Sequence, residues 1–161
     1  MVIHIYTDGS CRHNGFPDAV GAWGFVALHL GETISDIIEC MAGSERPSTN
    51  QRMELKAALQ ACYWVKNHMP EPTDAVIFTD SAYLHNCIDQ KWYKTWQKNG
   101  WVNSKKQPVL NKDLWEELIP FFEDHNFEFA KVPGHANNVW NNYIDKIVQQ
   151  RSAEEFNGSS N

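Results

Sequence analysis

Two hydrophobic periodicities divide this 161-residue chain near Ser48, and their order restricts it to a mixed sheet covered by helices. Residues 2–7 (VIHIYT) alternate and are rich in β-branched types, so they read as a strand ending at Asp8-Gly9-Ser10. Cys11–Asp18 is a loop punctuated by Asn14-Gly15 and Pro17. Val20–Leu30 is a second strand, Gly31-Glu32 a hairpin turn, and Thr33–Met41 the returning third strand. Tight turns make these three antiparallel. Beyond Ser48 the period changes. Ser48 or Thr49 caps a helix that runs to about Asn67 or His68, before Pro70 and Pro72. Ala75–Thr79 is a short continuous apolar run, as expected of a buried strand, and Asp80-Ser81 opens another helix. A helix from about Asn111 to Asp124, a strand over Phe127–Val132 and a helix over Val139–Arg151 complete the order. The expectation is one α/β domain over residues 1–151, with 152–161 a polar, disordered tail.

Composition removes several classes of function. No run of about 18 uncharged apolar residues is present, so no helix should span a membrane. The N-terminal residues lack a basic segment followed by a long apolar one, which argues against secretion. Cys11, Cys40, Cys62 and Cys87 show no CxxC spacing and fall in or beside core-like segments. Free thiols in a reducing, cytoplasmic setting fit that pattern better than disulfides or zinc. A net charge of −6 argues against a generic polyanion binder, but its distribution argues the other way. Lys91, Lys94, Lys98, Lys105, Lys106 and Lys112 occupy a stretch, 91–112, that contains no acid.

Four acids stand in distinctive local settings: Asp8 in TDGS, Glu54 in TNQRMEL, Asp80 in FTDS and Asp145 in NNYID. Asp8 either holds the turn as an Asx residue or reaches a site at the sheet edge. Glu54 lines up with Ala58, Ala61 and Val65 on a helix, so it begins an apolar, inward-facing row; a first-turn acid serving the helix dipole is the alternative. Asp80 is either an N-cap, with Ser81 as the rival cap, or a ligand-facing group at a strand's carboxyl end. Asp145 alone would pass as a surface acid. His135, in VPGHANN, reads as an exposed loop histidine or as a group suited to proton transfer. Carboxylates brought together repel, and a hard divalent cation relieves that repulsion. Two such ions can clamp the attacking and leaving oxygens of a phosphodiester displacement.

Taken together, TDGS, TNQRMEL, FTDS, VPGH and the final Asp resemble the motif blocks of type 1 ribonuclease H, in order and over most of the chain. The resemblance implies a mixed five-stranded sheet, three antiparallel strands then two parallel, with helices on both faces. It also implies that Asp8, Glu54, Asp80 and Asp145 bind Mg2+, two ions during catalysis with Mn2+ as a substitute, and that His135 assists. The implied reaction is endonucleolytic hydrolysis of the RNA strand of an RNA–DNA hybrid, leaving 5′-phosphate and 3′-hydroxyl ends; a monomer is the default expectation. KWYKTWQKNGW occupies the place of the family's basic handle.

Substrate contacts are expected at Asn50 and Gln51, whose amides suit 2′-hydroxyls, and by position at Cys11 and Asn14. In the handle they are expected at Lys91, Lys94, Lys98 and Trp96, the lysines forming one salt-sensitive cationic face. Three departures from the family pattern stand out. Ala82 replaces a common glutamine, the first loop reads RHNGFPD, and Asn142 replaces an acid before Asp145. A retroelement-derived relative, or a hybrid-binding module without catalysis, remains as an alternative.

Overall fold

The computed structural model describes residues 1–133 and 138–158. Five strands form one sheet in the order β3-β2-β1-β4-β5. They are β1 (Val2–Arg12), β2 (Val20–His29), β3 (Ile37–Glu45), β4 (Asp74–Thr79) and β5 (Phe127–Lys131). β1–β2 and β2–β3 pair antiparallel, and β1–β4 and β4–β5 pair parallel. The helices are α1 (Asn50–His68), α2 (Ala82–Asp89), α3 (Trp92–Lys98), α4 (Lys112–Phe122) and α5 (Val139–Gly158). This is the sheet and helix order that the sequence predicts.

Strand alternation sorts β1 between two cores. Ile3 and Ile5 face α1 and α4 in one cluster with Phe25, Leu55, Leu59 and Trp115. Tyr6 faces α5 in the other, with Val26, Phe78, Trp140, Ile144 and Val148. Thr49 is the α1 N-cap, its hydroxyl accepting from the Arg52 N–H at 3.1 Å.

Three boundaries differ from expectation. β1 does not stop at Asp8; Ser10, Cys11 and Arg12 continue it, opposite Ala22, Gly21 and Val20. Pairing to β2 thus overrides the turn-like composition of Asp-Gly-Ser. The third strand is Ile37–Glu45 rather than Thr33–Met41: Thr33–Asp36 closes a capping box around a short 3-10 turn, and pairing with β2 carries the strand on to Glu45 opposite Gly21. The last helix runs through Gly158, where the sequence suggested a disordered tail. Its extra turns have partners: Arg12 Nε donates to Ser152 Oγ at 3.1 Å, Arg46 bonds the Glu155 carbonyl, and the His13 and Phe156 rings lie 4.7 Å apart. Deleting residues 152–161 should therefore lower Tm by about 4–8 °C, as roughly 2 kcal/mol does at this size. An unchanged thermal melt would show that the extension contributes nothing.

Candidate active site

The parallel register between β1 and β4 builds the site. Tyr6 lies opposite Phe78, so two residues further on Asp8 comes opposite Asp80, just past the end of β4. Asp8 is thus interior to its own strand but stands at the carboxyl edge of the β4 half of the sheet. Ser81, not Asp80, caps α2, its hydroxyl accepting from the Leu84 N–H at 3.1 Å. That leaves Asp80 outside the capping role that sequence left open.

Glu54 enters from the first turns of α1. Its predicted row is inward-facing, with Ala58 and Ala61 fully buried and Val65 nearly so. The approach is close because of Gly9: a Cβ there would lie 2.3 Å from Met53 C and 2.4 Å from Glu54 N. Asp145 comes from the other face. Asp8 pairs with Gly24, and a Cβ on Gly24 would lie 3.0 Å from Val148 Cγ2 and 3.1 Å from Ile144 Cδ1. α5 therefore crosses the sheet beside Asp8 and carries the exposed Asp145 with it.

The electrostatics register this convergence. Burial, then the charge and hydrogen bond of Asp145, then the charge of Asp80 push the Asp8 carboxyl up to about 8. Burial, then Asp8, then Asp80 and Asp145 push Glu54 well above the carboxylate range. A hydrogen bond from the Gly9 backbone opposes both shifts. Asp8 Oδ2 and Glu54 Oε2 are buried without a hydrogen-bond partner, a costly state for carboxylate oxygens. Two orphaned hard oxygens among four mutually repelling acids fit a divalent cation such as Mg2+ or Mn2+. The acids neighbour one another without being drawn into a cage: among the described residues, no three His, Cys, Asp or Glu side chains close around an ion site. His135 lies outside the described residues.

The other expected residues fall into two groups flanking the acids. The Cys11 N–H donates to Asn50 Oδ1 at 2.6 Å, and the Asn50 N–H donates to Asn14 Oδ1 at 3.2 Å. Each amide oxygen thus accepts from a backbone N–H, and both residues are exposed. A cleft of about 440 Å³ lies here, lined by Asn14, Gly15, Thr49, Asn50, Gln51, Leu110 and Asn111. Asn111 was not anticipated, although a polar residue directly before a helix was a visible signal; it sits in the left-handed region at φ 64°.

In the handle, Lys91 precedes α3 in a left-handed conformation, and Lys94 and Lys98 lie on α3, all three exposed. Trp96 turns inward, 5.3 Å from the Trp115 ring and 6.1 Å from Trp101. Its packing role is plain; its half-buried ring retains an outer edge. A separate depression of about 260 Å³, lined by Val65, Met69, Thr73 and Phe127 among others, lies at the opposite end of β4 from Asp80.

Comparison with known proteins gives this arrangement a family. Residues 1–153 match the RNase H family. The chain belongs to that family. It is 41% identical to a ribonuclease H of Clostridium botulinum strain Hall over 153 residues, 95% of this chain and 96% of that one. Against a ribonuclease H of Symbiobacterium thermophilum it is 42% identical over 154 residues, 96% and 97% of the two chains. Among solved structures it resembles LC9-RNase H1, described as a type 1 RNase H with the type 2 active-site motif. The TM-score is 0.76 at 25% identity, covering 95% of this chain and 72% of that one. It also shares its fold with a foamy viral protease-reverse transcriptase solved in complex with an RNA/DNA hybrid. There the TM-score is 0.76 at 23% identity, over 93% of this chain and 20% of the other. The chain is accordingly a ribonuclease H-family enzyme, a hydrolase with the mixed five-stranded sheet of its relatives. Among the described residues no helix is long and apolar enough to cross a membrane.

Proposed function

We propose that this enzyme hydrolyses the RNA strand of RNA–DNA hybrids endonucleolytically, with divalent metal, leaving 5′-phosphate and 3′-hydroxyl ends. The observation that carries the metal dependence is the pair of buried, unpartnered oxygens on Asp8 and Glu54 beside Asp80 and Asp145. These four carboxylates would hold the ions, Mg2+ or Mn2+. When bound, two ions would lower the pKa of the attacking water and balance charge on the departing 3′ oxygen.

The chain's own contribution is placement. β1 and β4 fix Asp8 and Asp80 side by side, α1 delivers Glu54 past Gly9, and α5 delivers Asp145 from the opposite face. The exposed amides of Asn14 and Asn50, whose oxygens already accept from backbone, would donate to 2′-hydroxyl oxygens in a wide minor groove, which is how RNA is told from DNA. Lys91, Lys94 and Lys98 would meet phosphates on the handle side. Family likeness assigns His135 the auxiliary role. Hybrid hydrolysis by a monomer in the cytoplasm is the setting this reading implies.

The test follows an end-labelled RNA strand paired with DNA, in Mg2+ and separately in Mn2+. The same RNA in duplex RNA, EDTA, and an Asp80→Asn protein serve as controls. Cleavage should be confined to the hybrid, vanish with EDTA, and fall by at least about 10³-fold in Asp80→Asn, as loss of a metal's charge stabilisation implies. Hybrid binding without cleavage in either metal would sink the catalytic reading and turn attention to Ala82 and Asn142.

A further inference from the structure

We infer that Arg52 is a positioning residue: by tying the first turn of α1 to the start of α4 it sets the cleft between Asn50 and Asn111, and with it the affinity for a hybrid. This rests on the function proposed above and deepens it.

Arg52 stands in sequence between the recognition amides of Asn50 and Gln51 and the carboxylate of Glu54, but its side chain serves other elements. Nη1 and Nη2 donate to Asp113 Oδ1 and Oδ2 at 2.9 and 2.8 Å, a bidentate fork. Nε donates to Glu45 Oε2 at 2.7 Å, and Nη1 reaches Asn111 Oδ1 at 3.5 Å. Glu45 is held in turn by Lys56 Nζ at 2.9 Å and Ser48 Oγ at 3.2 Å. The end of β3, the start of α1 and the start of α4 thus meet on one guanidinium.

Half of this junction is wet, since the Asp113 side chain is 60% exposed, so it adds little to global stability. A planar fork nevertheless fixes direction as a lysine's single ammonium does not. What it directs is the start of α4. Asn111, immediately before that helix, lines the cleft with Asn14, Thr49 and Asn50. The chain entering it is the basic handle, closed by Val109 N–H donating to the Trp101 carbonyl at 2.9 Å. A hybrid touching both the recognition amides and the handle lysines would span this junction. A shift of α4 would therefore spoil several contacts at once while leaving the four acids, which lie on β1, just beyond β4, on α1 and on α5, in place.

Two variants, Arg52→Lys and Asp113→Asn, and their double test the inference. Hybrid affinity is read by fluorescence anisotropy in EDTA, with kcat and KM from cleavage in Mg2+ and a thermal melt of each protein. Charge alone predicts that Asp113→Asn tightens binding, because a negative group near a polyanion is removed. Positioning predicts the reverse: Kd rises about fivefold to tenfold in either single variant, and the double is no worse than the singles, as for a directly coupled pair. KM should carry the change, and the melt of Asp113→Asn should stay near that of the parent. Unchanged or tighter binding by Asp113→Asn, additive losses in the double, or a loss confined to kcat would each overturn the inference. Failure of the parent protein to bind hybrid would instead overturn the proposed function, and this inference with it.

Discussion

Asp8→Asn should raise the stability of the metal-free protein by about 2 kcal/mol at pH 8, or roughly 4–8 °C in Tm, while abolishing cleavage. The Asp8 carboxyl titrates near 8 in the fold against 3.8 for the free side chain, chiefly because it is buried and secondly because Asp145 faces it. Between those two values the native state retains a proton that the unfolded chain has released. Stability of the metal-free protein must then fall as pH rises from about 4 to about 8, and level off above. The full shift corresponds to at most roughly 6 kcal/mol. Sharing of the strain with Glu54 and Asp145, and relaxation of side chains, reduce the expected gain to about a third of that. Asparagine keeps the volume and removes the charge. Urea melts in EDTA at pH 4, 7 and 9 measure the effect: parent and variant should converge near pH 4 and separate by pH 9. Millimolar Mg2+ should narrow the gap by stabilising the parent alone, since a ligand of the native state adds to its stability. A variant less stable than its parent at every pH would mean that Asp8 is held by contacts rather than strained by charge.

That strain was half legible in the sequence. The Glu54 stripe could be read because helical period places residues 54, 58, 61 and 65 on one face, whatever the rest of the chain does. The neighbourhood of Asp8 and Asp80 could not be read from residues alone, because the register of two parallel strands is a property of the folded sheet. Family resemblance supplied that link before the structure gave its geometry. Local composition also misled where tertiary pairing prevails. Ser10-Cys11-Arg12 reads as a turn exit but continues β1 against β2, and the polar SAEEF segment reads as tail but is helix because Arg12, Arg46 and His13 hold it. The capping box of Thr33 and Asp36 was visible as a T-x-x-D signal, and weighing it would have moved the start of the third strand past Asp36, though not its end from Met41 to Glu45. Trp96 shows a subtler limit: its spacing suits both packing and substrate contact, and only the fold reveals the tryptophan cluster against which its ring packs.

Gly9→Ala should cost the fold at least about 3 kcal/mol, beyond the usual range for overpacking, because the atoms in the way are backbone. A Cβ at this position meets Met53 C at 2.3 Å, Glu54 N at 2.4 Å and Met53 O at 2.5 Å. No rotamer change clears such contacts; β1 and α1 must move apart by about 1 Å in an interior packed as densely as a crystal. The separation would open space beside Met53, Ile5 and Leu55, all fully buried, and so forfeit dispersion contacts as well as shape. It would also draw Glu54 away from Asp8, since the two acids are neighbours only because a strand and a helix touch at a residue without a side chain. Gly100→Ala is the matched control. Gly100 has φ +73° but open space around it, so its cost should be the left-handed penalty of about 1–2 kcal/mol and its activity should persist. Urea denaturation of both variants, with Mg2+ titrated into whatever Gly9→Ala protein remains folded, separates the two effects. Low stability with metal affinity intact would show that the close approach serves packing alone; low stability with weakened affinity is expected, because the same contact that closes the core brings the acids together.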